Sequence, residues 1–164
     1  MNPEVCEKPK PMRSFCRLWT HVVFATKNRD PLIQPGPEID IHQHMFEKLI
    51  KLNCVPVVIN GMPNHVHLLF AADYKNSMMD IMKNLKGETS HWANSNRIMP
   101  YKLFWQDTFS AFSVSEGNLD RVTKYILNQK KHHAKKSYDE EFDAMIKKFG
   151  LPHIGNDAMP QQLK

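Results

Sequence analysis

From Phe15 to Thr26 apolar and polar positions alternate, with Trp, Val, Phe and Thr prominent, which predicts a long first strand. Asn28 to Pro37 contains Pro31, Pro35, Gly36 and Pro37 and reads as a loop. The period then changes: Ile41, Met45, Leu49 and Leu52 recur at helical spacing, so Glu38 to Leu52 is expected to form an amphipathic helix. Val55 to Asn60 returns to strand character. The Gly61-to-Asn64 turn leads from it into an apolar run, and so tight a connection predicts an antiparallel hairpin. Ser77-Met78-Met79-Asp80 has the capping-box form that opens a helix, with Met78, Ile81, Met82, Leu85, Thr89 and Trp92 as its buried stripe. Asn94 to Asp107 reads as a loop, Ala111 to Ser115 as a short strand, and Glu116 to about His132 as a helix. A last helix is expected from Ser137 to Phe149, and the residues after Gly150 form a tail.

This order predicts an α+β fold: a ferredoxin-like, RRM-like antiparallel sheet with helices on one face, followed by a C-terminal helix that carries Tyr125. The expected organisation is a loose arm over residues 1–12, a single domain over 13–136, and a C-terminal helix and tail over 137–164. The first strand carries Leu18, Val22 and Phe24 on one face and Trp19 and Val23 on the other. That is more apolar surface than one small core needs, and it points to a partner on an exposed edge.

Composition narrows the class. With 41% hydrophobic and 24% charged residues, the 164-residue chain is an ordinary globular domain with enough length for a core. It has no apolar run long enough to span a bilayer, and Met1 to Pro11 lacks a signal-peptide core. Cys6, Cys16 and Cys54 form an odd, scattered set that reads as reduced thiols, so a cytoplasmic protein with no membrane partner is expected.

Charge adds a direction. The formal charge is +5, and it is uneven: Arg121, Lys124, Lys130, Lys131, Lys135 and Lys136 occur without an acid among them, and Asp139, Glu140, Glu141 and Asp143 follow as a block. A second basic region holds Lys8, Lys10, Arg13, Arg17, Lys27 and Arg29. Either could be a solvated face; together they favour a phosphate backbone as partner.

Candidate chemistry concentrates in Gly61-Met62-Pro63-Asn64-His65-Val66-His67-Leu68-Leu69-Phe70. Side chains two apart on a strand share a face, so His65 and His67 project together, opposite Val66, Leu68 and Phe70. Paired imidazoles on an apolar strand suit a metal ion, although half-exposed polar residues give the same pattern. A nucleotide hydrolase of the histidine-triad type would need a third histidine at position 69, which is Leu69. A structural zinc site would need a fourth His or Cys at suitable spacing. Further on, Tyr125 and Gln129 lie one helical turn apart, on the border of a stripe formed by Leu119, Val122 and Ile126. By themselves they equally describe a tyrosine at a core edge beside a surface glutamine.

The GMPNHVH strand, the Phe104-Trp105-Gln106 loop, the Ala111-to-Ser115 strand and the helix with Tyr125-x-x-x-Gln129 together resemble the single-tyrosine HUH transposases of small bacterial insertion sequences, including their REP-associated relatives. His21-Val22-Val23-Phe24-Ala25-Thr26-Lys27-Asn28-Arg29 is also typical of that family's first strand, and the resemblance spans roughly Phe15 to His133. Asn64 departs from it, since many relatives carry Asp there. The resemblance implies that His65, His67 and Gln129 are ligands of Mg²⁺ or Mn²⁺ and that Tyr125 is the nucleophile. It implies a transposase that cleaves and rejoins single-stranded DNA at hairpin-bearing element ends through a 5′-phosphotyrosine, with no nucleotide cofactor, as a homodimer. The alternative is a domesticated relative that binds hairpin DNA without transposing it. Lys83, Lys86, Arg121, Lys124, Lys130 and Lys131 are the cations expected nearest DNA phosphates, with Trp105 or Phe104 as a stacking platform.

Overall fold

A computed structural model describes residues 16–133 and, beyond them, 140, 143, 144 and 147. The strands are β1 (Leu18–Ala25), β2 (Val55–Met62), β3 (His65–Ala72) and β4 (Ser110–Ser113). The helices are α1 (Pro37–Lys51), α2 (Met78–Ser95), α3 (Leu119–Leu127) and α4 (Gln129–His133). The sheet order is β2-β3-β1-β4, and every neighbouring pair is antiparallel. α1 therefore joins two parallel strands that enclose β3, and α2 joins two that enclose β1. These interlocked split β-α-β units make the ferredoxin-like arrangement expected from the sequence.

Local chemistry sets the ends of each element. Pro37 opens α1, where its missing N–H costs nothing. Asn53 closes it in the left-handed region (φ 58), with Asn53 N bonded to Ile50 O and Cys54 N to Leu49 O, the Schellman pattern. Ser77 caps α2 by accepting a hydrogen bond from Asp80 N at 3.0 Å. α2 runs to Ser95, slightly into the stretch expected to be loop, and β4 begins at Ser110 and ends at Ser113, earlier than expected.

The sheet separates two apolar layers. On one face Val22, Phe24, Val66, Leu68 and Phe70 pack with Ile41, Met45 and Leu49 of α1 and Ile81, Met82 and Leu85 of α2. On the other a smaller cluster of Val58, Leu69 and Ile126 is flanked by Val114, Leu119, Val122 and Tyr125. β3 is thus covered on both sides, which is why the histidine strand reads as an almost continuous apolar run.

Two expectations are corrected. β1 lies inside the sheet and not at an edge, and Val22, Val23 and Phe24 are each at most 1% exposed within one chain, so of the expected apolar excess only Leu18, 52% exposed, and half-buried Trp19 reach the surface. The helix expected from Glu116 to His132 is three pieces: a 3-10 turn over Glu116–Asn118, then α3, then α4, with a break at Asn128. The expected arm and the final helix from Ser137 fall outside the described residues, apart from Glu140, Asp143, Ala144 and Lys147, which are helical and exposed. Among the described residues no helix is long and apolar enough to cross a membrane.

The core face carries the stability. Phe70 is fully buried, and Phe70→Ala is expected to cost about 3–5 kcal/mol. Val57→Ala, at an exposed position of the edge strand β2, should stay within about 0.5 kcal/mol. Urea unfolding followed by circular dichroism measures both.

Candidate functional site

The site face begins at the hairpin between β2 and β3. Pro63 and Asn64 form its two-residue connection, so Met62 pairs with His65, Gly61 with Val66 and Asn60 with His67. Only glycine fits at position 61: a Cβ there would lie 2.2 Å from the carbonyl oxygen of His65 and 2.9 Å from Val66 Cα. The turn is tied to the end of β1, since Thr26 N donates to Asn64 O at 2.9 Å, while the Thr26 hydroxyl donates to Asp30 O at 2.6 Å. This register places His65, His67 and Leu69 on the face opposite Val66, Leu68 and Phe70, as the alternation predicts.

His65 and His67 are both fully buried, their ring centroids 5.1 Å apart. His65 Nδ1 lies 2.7 Å from Asn64 Oδ1. A carboxamide oxygen can only accept, so Nδ1 carries the proton and Nε2 keeps its lone pair. Asn64 thereby supplies the hydrogen bond that an aspartate would make there. His67 Nδ1 lies 3.0 Å from Nε2 of His21, a residue of β1 to which the sequence pattern alone assigns no role. His21 is buried, and burial pushes its pKa down to about 4, so it is neutral near pH 7. A signal for it exists in the alternation: His21 lies on the same strand face as Trp19 and Val23, away from Val22 and Phe24.

Tyr125 comes from the opposite layer. α3 packs on β2 and β3, with Ile126 fully buried. It starts where Glu116 accepts a 2.6 Å hydrogen bond from the indole N–H of Trp19. Tyr125 is half-buried and meets His67 and His21 edge to face, at centroid separations of 5.9 and 6.1 Å. The nucleophile candidate and the histidine strand therefore come together within a single chain.

Asn60 explains the helix break and the placement of Gln129. Its side-chain amide donates to Ile126 O at 2.8 Å and to Leu127 O at 3.1 Å. In an uninterrupted helix those carbonyls would accept from residues 130 and 131. Instead Lys131 N turns to Asn128 O at 2.9 Å, and Asn128 Nδ2 binds back to Lys124 O at 2.8 Å. Asn60 is the cross-strand neighbour of His67, and past the break the chain restarts as α4, packed on β2 with Gln129 fully buried. Sequence reasoning misses Asn60, although counting back across the turn puts it opposite His67.

The donor set fits a divalent cation. Among the described residues no group of three or more His, Cys, Asp or Glu is placed to hold a metal, so a set of three with His65 and His67 would need a donor of another type, such as the carboxamide of Gln129. His65 Nε2, His67 Nε2 and Gln129 Oε1 are all buried from solvent, and each can offer a lone pair to a cation. All three groups are neutral, so a bound cation would keep its whole charge toward an anionic substrate.

The expected DNA-contact residues divide. Arg121, Lys124 and Lys131 are exposed on α3 and α4. Lys130 is exposed too, but its Nζ pairs with Glu38 Oε2 of α1 at 2.6 Å. Lys83 is exposed on α2 at a cleft of about 420 Å³ whose lining includes Phe104 and Trp105. Lys86 is a correction: it is buried, and its ammonium donates to the carbonyls of Gln106, Asp107 and Thr108, so it orders the 106–108 loop instead of facing a phosphate. Burial lowers its pKa, with Asp107 opposing the shift. Trp105 is also held inward, its ring 4.9 Å from that of Phe24 and its backbone bridged to Thr26. Phe104, 49% exposed with Lys27 Nζ 6.0 Å from its ring centroid, is the aromatic left for stacking.

Comparison with known proteins follows the same outline. A family model described as IS200-like transposase matches residues 14–129. The ISDra2 transposase TnpA of Deinococcus radiodurans is 27% identical over 124 residues, 69% of this chain and 84% of that protein. A crystal structure of a transposase from the same organism superposes with a TM-score of 0.56 at 24% identity, covering 74% of this chain and 98% of that one. A REP-associated tyrosine transposase bound to a REP hairpin superposes with a TM-score of 0.56 at 12% identity, covering 77% and 74%.

Replacing Asn60 tests how Gln129 is placed. Asn60→Leu removes one hydrogen bond to the part-buried carbonyl of Ile126 and one to the exposed carbonyl of Leu127, and should cost about 0.5–1.5 kcal/mol. Denaturant melts give that loss, and helix-to-helix nuclear Overhauser contacts should show α3 and α4 changing their mutual angle while the α1–α2 layer keeps its own.

Proposed function

The chain belongs to the IS200-like transposase family, the single-tyrosine HUH transposases, and from that premise we propose that it is a metal-dependent transposase that cleaves and rejoins single-stranded DNA through Tyr125. The observation that carries this reading is the Tyr125 ring set nearly perpendicular to that of His67 with centroids 5.9 Å apart, with Gln129 buried at the start of the next helix. A pure DNA-binding protein gains nothing from burying two imidazoles and a carboxamide beside a half-exposed phenol, because buried polar groups are costly unless used.

In the proposed reaction the Tyr125 oxygen attacks the scissile phosphorus in line. A tyrosine–phosphorus ester forms, the bond from phosphorus to the 3′-oxygen breaks, and the phenol proton is balanced by the proton on the released 3′-hydroxyl. The 5′-phosphotyrosine keeps the phosphodiester's energy, so a second 3′-hydroxyl can reverse the step and join new ends. The half-burial of Tyr125 suits this: its ring meets those of His21 and His67 edge to face without being sealed inside the core. His65, His67 and Gln129 would hold Mg²⁺ or Mn²⁺. When bound, the cation would draw charge from a non-bridging phosphate oxygen and help a phenol of ordinary pKa about 10 react near neutral pH. Arg121, Lys124 and Lys131, exposed on the helices that carry Tyr125 and Gln129, would track the strand's phosphates. A relative with this fold is bound to a REP hairpin, which supports hairpin-bearing DNA as the substrate class here.

With Mn²⁺ and the hairpin-bearing single-stranded ends that flank its gene, the protein should form an adduct that survives SDS. Tyr125→Phe should lose at least about a hundredfold of that adduct while binding the same oligonucleotide within about twofold, since phosphate contacts carry the affinity. An adduct of wild-type yield in Tyr125→Phe would refute the assignment and turn attention to Tyr101 or Tyr74.

His67→Ala should abolish cleavage and leave hairpin affinity nearly unchanged, as should EDTA added to the wild type. Cleavage undiminished in EDTA is incompatible with the proposal. Because Tyr125 and His67 meet within one chain, a mixture of His67→Ala and Tyr125→Phe proteins should stay inactive. Recovery of activity in that mixture would mean that the working site is completed by a second copy.

A further inference from the structure

We propose that His21 is the positioning residue of this site: its Nε2 accepts the Nδ1 proton of His67, which fixes both the ring orientation of His67 and the nitrogen that it turns toward the metal. The inference rests on the reading of His65, His67 and Gln129 as a metal-binding set.

His65 Nδ1 faces Asn64 Oδ1 at 2.7 Å, and His67 Nδ1 faces His21 Nε2 at 3.0 Å. Nε2 is therefore the nitrogen left on each ring for a cation. A neutral imidazole can give a lone pair from Nε2 only when its proton is on Nδ1, and that proton needs an acceptor in front of it. For His65 the acceptor is unambiguous, because a carboxamide oxygen cannot donate. For His67 it is another imidazole, which can point the bond either way, so the state of His21 sets the state of His67.

His21 is also held more firmly than an ordinary outer partner. It lies mid-strand in β1, inside the sheet, paired with Leu69 of β3 on one side and Phe112 of β4 on the other. Its ring lies nearly parallel to that of His67, with planes 21° apart and centroids 5.3 Å apart, the edge-to-edge geometry of the hydrogen bond between them, and the Phe112 ring centroid lies 6.1 Å away. The same imidazole receives the edge of Tyr125 at 6.1 Å and 79°. One side chain thus touches both the candidate ligand and the candidate nucleophile, and a change at position 21 is felt by both.

The test reads the hydrogen bond before any metal is added. In metal-free protein with ¹⁵N-labelled histidine, long-range ¹H–¹⁵N correlation should show His67 as the Nδ1–H tautomer. His21→Gln keeps an acceptor oxygen and should retain that tautomer, whereas His21→Leu removes the acceptor and should move His67 toward Nε2–H. Mn²⁺ affinity, measured by calorimetry, should fall about 10- to 100-fold in His21→Leu and recover most of that loss in His21→Gln. An Nε2–H tautomer at His67 in the wild type overturns the proposal, and this holds even if His21→Leu fails to fold. So does wild-type Mn²⁺ affinity in a folded His21→Leu protein. If that variant binds Mn²⁺ normally and the wild type still forms its Tyr125 adduct, only the role of His21 fails. If the wild type binds no Mn²⁺ at all, the metal-binding set and the role of His21 fail together.

Discussion

The site depends on the register of the β2–β3 hairpin. Side chains on a strand alternate with period two, so a slip of one residue would turn His65 and His67 into the α1–α2 core and bring Val66 and Leu68 to the other face. The steric fit at Gly61 blocks such a slip, since any Cβ there would run into the backbone of His65 and Val66. Backbone hydrogen bonds add to the lock: Thr26 N donates to Asn64 O and Ile33 N donates to Pro63 O, which fasten the turn to the end of β1 and the loop after it. The Gly-x-Pro-Asn-His-x-His pattern is therefore one mechanical unit, with the glycine setting the register that the histidines use.

From that register the placement of the rest follows by hydrogen bonding more than by helix periodicity. Asn60 sits opposite His67 because of the hairpin, and it stops α3 because it captures the carbonyls of Ile126 and Leu127. Tyr125, just before the break, and Gln129, just after it, are consequently aimed separately. A continuous helix would put residues four apart about 40° apart around one axis, with no freedom to adjust either alone. The break lets a half-buried phenol and a fully buried carboxamide sit on two short helices, each packed against the sheet in its own way.

Much of this is legible in the sequence, and the reasons it is or is not are local. The fold follows from clear changes of hydrophobic period and from turn residues, and the His65–His67 pair follows from strand alternation alone. The break at Asn128 is not legible, because Asn60 lies 66 positions or more from the carbonyls it binds and only the folded sheet brings them together. His21 is visible as a histidine on the far face of β1, but its importance depends on β1 and β3 being neighbours, which is a matter of topology. Lys86 misleads for a related reason. A lysine one helical turn from Lys83 and Ser90 reads as surface, whereas the loop after Leu103 folds over it and offers it three carbonyls. The apolar excess on β1 suggests an interface, yet a strand covered by helices on both faces needs two apolar sides.

The two layers also divide the labour of the domain. The α1–α2 face holds most of the fully buried large side chains, while the site face has Val58, Leu69 and Ile126 as its buried apolar cluster. So small a cluster cannot fix α3 by hydrophobic burial alone. Polar contacts hold the helix instead, from Trp19 to Glu116 at its start, from Asn60 to the carbonyls at its end, and through the rings of His21 and His67 against Tyr125. Such contacts are directional and short-ranged, so they fix orientation well while adding little to global stability. Such a combination suits the nucleophile role proposed for Tyr125, because an attacking oxygen must be held in a near-attack geometry to react. The large core keeps the sheet rigid, and the polar contacts on its other face decide where the chemistry points.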